Sequence, residues 1–329
     1  MENTEFGATP CPNSTVSLPI DIYRLVVAEI EADDYQTLLS LCLSNRLLNY
    51  EGTKRLYRDF GSAPRYGSFH LKLLSTLLSR PDLAAMVRSY YLRDVSRTPK
   101  HTEETLYRLI GEEEEENMSS AQREFIGQLV SILFARALPL MVNLKVLAYG
   151  DRGKEAEACS LLSSAHLQLE KLDWRNRWDD TLITFLERQK SLRWLKLHPR
   201  GKDVMASIST HPIPTFASSQ SLITLAGKQA VVEAILPFAP GVRNLALHFT
   251  DRRDTFSSIF HVARDLARCM GQLTRLTFHN HYTRISVAVL EGAVDNLEYL
   301  AVGCAVDDNV SVPFTPLKVG SRMAKCLLG

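Results

Sequence analysis

One six-residue phrase, apolar-x-x-apolar-x-apolar, constrains this chain more than any other feature, because it returns at near-regular intervals through the second half of the 329 residues. Its apolar positions are filled by Leu144, Leu147 and Tyr149, then Leu169, Leu172 and Trp174, then Leu192, Leu195 and Leu197, then Leu222, Leu225 and Gly227. Val242, Leu245 and Leu247 follow, then Leu273, Leu276 and Phe278, then Leu297, Leu300 and Val302. The first positions stand 25, 23, 30, 20, 31 and 24 residues apart, an average of 25.5. An earlier copy, Val87, Tyr90 and Leu92, lies 57 residues before Leu144, so either one diverged repeat or an insertion sits between them.

Helical periodicity fills the intervals. Residues 181–190 follow the capping pair Asp179 and Asp180, a second helical stretch covers 228–239, and a third covers 255–270. Each unit therefore reads as a short strand and a helix, neither of which can bury its apolar side alone. Stacking the strands edge to edge as a parallel sheet, with helices on the outer side, makes one continuous core. The expected fold class is α/β, as a curved solenoid with strands on the concave face and helices on the convex face. A doubly wound α/β domain would also repeat strands, but the constant spacing inside the phrase and the lack of a Gly-rich phosphate loop favour the solenoid.

The phrase and its period resemble a leucine-rich-repeat array of the irregular kind found in large fungal families, over residues 87–303. A bridge of loop and helix at 61–86 precedes it, with Gly61, Pro64 and Gly67 in the loop and a helix over 70–78. An acidic insertion near 98–117 carries the run 112–116, read as a solvated segment. Residues 304–329 read as an irregular tail and residues 1–17 as a disordered start.

Residues 18–60 differ from the repeats. Pro19 suits the first turn of a helix on which Ile22, Leu25, Val26 and Ile30 share a face. A second helix opens at Asp33 or Asp34 and carries Leu38, Leu39, Leu41, Cys42 and Leu43, and a third includes Leu47, Leu48, Leu56 and Tyr57. So much apolar surface in so small a unit implies completion by another molecule or by the following domain. The opening Leu18-Pro19, the apolar spacing after it, the stretch 38–46 and the closing Leu56-Tyr57 resemble an F-box. That motif docks a substrate receptor onto the Skp adaptor of SCF-type cullin-RING ubiquitin ligases. The resemblance implies that Leu18, Pro19, Ile22, Ile30, Leu38 and Leu41 face or support the adaptor, with the cullin reached through it. The same helices could instead serve as a bare cap on the first repeat.

Composition excludes several classes. Basic and acidic side chains number 38 and 37, a net charge of +1, which argues against a non-specific nucleic-acid partner. No 18-residue apolar run suggests a membrane span, and the first 17 residues lack the pattern of a secretory signal. The six cysteines fit neither a zinc nor a disulfide spacing, so the expected setting is cytoplasmic or nuclear. Nucleophile-elbow, zincin, P-loop and dinucleotide signatures are absent, so neither catalysis nor a cofactor is expected. His279 and His281 form an HxH pair without a third ligand in view, and no metal is expected there.

In such a phrase the third, fifth and seventh residues point away from the core onto the open strand face. Of the 24 residues at these positions in eight copies, six are Lys or Arg and one is acidic. A positive face steers anionic partners and lets Arg grip carboxylate or phosphate with two hydrogen bonds. The sequence therefore predicts a face that binds an acidic or phosphorylated protein target. Trp194 and Tyr299 would anchor it, and Lys171, Arg175, Lys196 and Arg275 would orient it. The functional expectation is an SCF-type substrate receptor; the alternative is a non-catalytic interaction scaffold whose amino-terminal helices only cap the array.

Overall fold

A computed structural model of the chain describes residues 18–31, 34–60, 67–93, 119–150, 162, 166–199, 221–248, 272–279, 297–303 and 317–318. It mixes helices with a largely parallel sheet and divides into two units, Met1–Arg58 and Asp59–Gly329. The expectations for 1–17, the acidic run 112–116, the helix over 255–270, His281 and most of 304–329 lie outside the described residues.

The first unit is three helices. Helix α1 spans Ile20–Glu29 behind Pro19, whose carbonyl accepts from the Ile22 N–H at 3.0 Å. Helix α2, Tyr35–Ser44, opens where the Asp34 carboxylate accepts from the Thr37 N–H at 3.1 Å. Hydrogen bonds from Thr37 hold that carboxyl below its ordinary titration range. Helix α3, Arg46–Arg58, begins where Asn45 Oδ1 accepts from the Leu48 N–H at 2.9 Å, and it packs against both α1 and α2. A Cβ at Gly52 would stand 2.7 Å from Cys42 Sγ, so the missing side chain lets α3 approach α2 closely. Arg24 on α1 donates to the buried Glu51 on α3 at 3.1 Å, tying the first helix to the third.

The second unit begins with strand β1, Asp59–Phe60, which pairs in parallel with β2, Ser89–Arg93. The sheet thus starts before residue 87, the expected beginning of the array, because two residues are too few to show an alternating pattern. Between them lie α4, Gly67–Ser79, and α5, Pro81–Ala84; Gly67 opens the helix rather than belonging to the loop. Helix α6, Ser120–Ala137, follows, capped by reciprocal hydrogen bonds between Ser119 and Gln122, and packs against α4. Strands β3, Val146–Gly150, and β4, Lys171–Trp174, lead to α7, Asp180–Arg188, whose first turn is capped by Asp179. Then come β5, Trp194–Leu197, β6, Thr224–Lys228, helix α8, Gln229–Ile235, and β7, Asn244–His248. Strands β8, Arg275–His279, β9, Tyr299–Gly303, and a short antiparallel β10, Leu317–Lys318, close the series.

Strand order follows sequence order from β1 to β10 without the reversal that a doubly wound sheet contains. Strands β2 and β3 pair directly, so the long interval between the first two copies of the phrase is an insertion and not a lost repeat. Register is the same at every junction: phrase position pairs with like position, as in Lys171 with Trp194, Trp194 with Thr224, and Thr224 with Asn244. One hydrogen-bond device enforces it. The carbonyl of the second phrase residue accepts from the N–H groups of the second and third residues of the next copy. This holds for Arg88, Lys145, Glu170, Arg193, Ile223, Arg243 and Thr274, at 2.8 to 3.1 Å.

The core lies where the phrase requires it. Leu144, Leu169, Leu192, Leu222, Val242 and Leu273 at the first position are buried, as are Leu147, Leu172, Leu195, Leu225, Leu245 and Leu276 at the fourth. An aromatic column runs through this core, with Tyr90, Phe134 of α6, Tyr149 and Trp174 stacked at centroid separations of 5.1, 5.4 and 5.3 Å. Beside it the buried His70 Nδ1 lies 3.0 Å from the Tyr90 hydroxyl. The helix expected over 228–239 is shorter, because Pro237 converts its end into a 3₁₀ turn, Leu236–Phe238. Leu138–Leu140 does the same after α6, and both turns deliver the chain to the next phrase six residues after their leucine.

Candidate functional site

The open side of the strands carries the third and fifth phrase residues in two rows. The third-position row reads Ser89, Val146, Lys171, Trp194, Thr224, Asn244, Arg275 and Tyr299 across β2 to β9. Four of the six predicted target-binding residues, Lys171, Trp194, Arg275 and Tyr299, therefore fall in one line. Lys171 and Arg275 are exposed; Trp194 and Tyr299 are half-buried. Between the ends of this line, Asn244 Nδ2 donates to Thr224 Oγ1 at 3.1 Å. At its far end the Arg275 guanidinium sits 5.8 Å from the centre of the Tyr299 ring, a cation–π contact that ties a predicted cation to a predicted anchor.

Lys196 lies in the fifth-position row, opposite Asp173 in register. Asp173 is only 2% exposed, and its Oδ1 accepts from Arg175 Nε at 3.4 Å. Arg175 does project beyond the end of β4, but part of its charge is spent on its own chain. Gly150 fixes its path: a Cβ there would stand 3.0 Å from both Cβ and Cδ of Arg175, so the stem of the arginine lies across the bare glycine backbone of β3. The positive face is consequently less uniform than a count of charges implies, with Asp173 offsetting Arg175 while Lys171 and Arg275 stay exposed.

Arg175 is the one seventh-position residue that the sequence assigned to the target, yet the structure sets three others side by side there. His198, just past β5, Lys228 at the end of β6 and His248 at the end of β7 occupy successive places at one edge of the sheet, since Leu197 pairs with Gly227 and Lys228 with His248. The rings of His198 and His248 meet edge to face, 4.3 Å between centroids. Partial burial pushes the Lys228 ammonium below its ordinary titration range. The signal was available, because all three share one phrase position.

In the helical unit, Leu18, Pro19 and Ile22 are exposed, Ile30 and Leu41 are half-buried, and Leu38 is fully buried. Leu38 can therefore support a docking surface from within but not touch a partner. The face predicted from Ile22, Leu25 and Val26 is open, with Leu25 60% exposed, whereas Val27 is the buried residue of α1. Ile20, Leu39, Leu43, Leu47 and Tyr50 are also exposed, and Leu43 is 88% exposed.

Among the described residues no group of three or more His, Cys, Asp or Glu side chains is placed to hold a metal ion, and no helix is long and apolar enough to cross a membrane. No protein-family model matches the chain, and no curated protein matches it either.

Proposed function

We propose that this chain is a substrate-receptor subunit of an SCF-type cullin-RING ubiquitin ligase. Helices α1–α3 act as an F-box that docks the Skp adaptor, and the leucine-rich repeats form a solenoid whose strand face holds an acidic or phosphorylated target. One observation carries the reading: a small helical unit leaves Leu18, Ile20, Ile22, Leu25, Val26, Leu39, Leu43 and Leu47 exposed. Singly exposed apolar residues are ordinary, but this many in one short unit marks a surface built to be covered by a partner. The leucine-rich-repeat reading rests on identical register and identical carbonyl sharing at seven successive junctions, the repetition expected when each unit contacts only its neighbours.

The mechanism is recruitment. With the adaptor held at one module and the target at the other, target lysines sit at high effective concentration beside the ubiquitin-loaded enzyme, and no catalytic group of this chain is required. The adaptor-facing residues are Leu18, Pro19 and Ile22, with Ile30 and Leu41 at their margin and Leu38 beneath. The test is binding of purified Skp adaptor to the full chain and to a Leu18→Ala, Pro19→Ala, Ile22→Asp variant whose circular dichroism is unchanged. Micromolar or tighter binding that the variant loses is expected. An intact chain that binds no adaptor would refute the ligase reading and leave a scaffold with a helical cap.

A further inference from the structure

Helix α6 carries apolar side chains on two opposite sides. Its inner seam, Val130, Phe134 and Ala137, is buried and supplies Phe134 to the aromatic column. A second series, Ala121, Phe125, Gln128, Ile132 and Ala135, advances by four, three, four and three residues. At about 100° per residue that spacing keeps all five in one seam on the side away from Val130 and Phe134. Phe125 is 61% and Ile132 45% exposed, Ala121 is exposed, and Gln128 and Ala135 are half-buried. A helix on the outside of an array ordinarily turns polar residues outward, whereas an apolar seam of this period is the kind that a second helix covers.

The order of residues along the outer seam says what that second helix is. The seam is self-complementary about the level of Val130: Phe125 and Ala135 stand five residues to either side, Gln128 and Ile132 two, and Glu124 and Arg136 six. Glu124 and Arg136 are exposed, and neither has an ion-pair partner among the described residues. An antiparallel copy of α6 centred at that level sets the Phe125 ring opposite the small Ala135, and Glu124 opposite Arg136, each twice. This reciprocity is what a twofold contact between identical surfaces requires. A parallel copy would set ring against ring and like charge against like charge, with the helix dipoles also opposed to it.

We infer that the outer seam of α6 binds a second copy of this chain, as an antiparallel twofold interface in which Phe125 packs on the partner's Ala135 and Glu124 pairs with the partner's Arg136. The 18 residues of α6 are about 27 Å long, so a contact along one seam belongs to the small, transient class of interfaces, with a dissociation constant on the order of micromolar. The inference stands apart from the ligase reading, since it uses neither the helical unit nor the strand face. Its consequence is valency: two joined arrays present two strand faces, and a target with two matching segments is held at raised effective concentration.

The experiment is sedimentation velocity on the full chain from about 1 to about 200 μM, where a concentration-dependent monomer–dimer transition is expected. Phe125→Glu should weaken self-association by more than about tenfold while its urea midpoint, read by tryptophan fluorescence, stays that of the parent. Glu124→Arg and Arg136→Glu should each weaken it about tenfold, because either change sets like charges opposite each other at both contacts. Mixed in equal amounts, these two variants should recover the parent affinity, since one chain then carries two arginines where the other carries two glutamates. An intact chain that stays monomeric throughout would overturn the inference and assign the seam to a different partner or to another segment of this chain. Self-association unchanged by Phe125→Glu, or a mixture of the two charge variants no tighter than either alone, would overturn it equally.

Discussion

Gly227 is the one sixth-position residue of the repeat phrase that is not a large apolar side chain, and its replacement by alanine gives a sharp test of the sheet geometry. A Cβ at this position would stand 2.4 Å from the Leu197 carbonyl oxygen and 3.3 Å from its carbon. A methyl carbon and a carbonyl oxygen normally keep about 3.2 Å, so the overlap approaches an ångström, and the obstacle is backbone that no rotamer change can remove. Leu197 and Gly227 are register partners, so relief requires β6 to move away from β5 where the two are hydrogen-bonded. Overpacking of this kind costs about 1–3 kcal/mol and a weakened ladder bond about 1 more. The lower entropy of the unfolded alanine chain returns about 0.4–1 kcal/mol. The expected net loss is about 2–3 kcal/mol. Urea unfolding followed by tryptophan fluorescence reads it cleanly, because all three tryptophans, Trp174, Trp178 and Trp194, lie between β4 and β5 and report on the array rather than on the helical unit. Gly127→Ala is the matched control: nothing stands within 4 Å of a Cβ there, and its helical site should gain about 0.5–1 kcal/mol. A Gly227→Ala midpoint within about 0.5 kcal/mol of the parent would refute the close strand approach.

Two further outcomes concern the aromatic column. Phe134→Ala removes the ring between Tyr90 and Tyr149 from a site that is 1% exposed, and should cost about 3–5 kcal/mol in the same fluorescence assay, whereas Phe125→Ala, on the exposed part of α6, should cost under about 0.5 kcal/mol. Burial, with a smaller contribution from Tyr149, pushes the Tyr90 hydroxyl far above the ordinary tyrosine range. The folded state therefore keeps its proton at pH values where the unfolded chain releases it, and this contribution to stability is complete below about pH 10 and declines as pH rises beyond it. Tyr90→Phe should flatten the alkaline part of a stability-against-pH curve, and an unchanged slope would contradict the buried neutral hydroxyl.

The array was legible in the sequence because its information is local and repeated. Three apolar positions per copy fix which side of each strand is buried, and once two adjacent copies pair in register every other pair must follow. The failures have equally specific causes. Asp59–Phe60 is a strand only because β2 offers it an edge, and two residues carry no period of their own. The Asp173–Arg175 pair was visible in principle, since residues two apart on a strand share a face, but counting charges by row treats neighbours as independent when the short separation makes them partners. Contact between His198 and His248 could not be read from adjacency at all, because their strands are not neighbours and the contact depends on how far each side chain leans.

The two units pose opposite physical problems, and the opposition bears on what each is for. In the array the first- and fourth-position apolar residues from Leu144 to Leu276 are buried inside the chain, and the row left open between them mixes charged, polar and aromatic side chains that can vary without disturbing the core beneath. In the helical unit the capping residues and the Arg24–Glu51 link hold three helices in place, yet the apolar residues of α1 and α2 remain largely in water. Covering a leucine side chain is worth about 1.5–3 kcal/mol, so leaving Leu25 and Leu43 open forgoes stability that a self-sufficient three-helix cap would use. A cap evolves toward a polar outer surface; a dock must keep its apolar one. That difference in what the exposed leucines cost is the physical ground for reading α1–α3 as an attachment site and the strand face as the variable recognition surface.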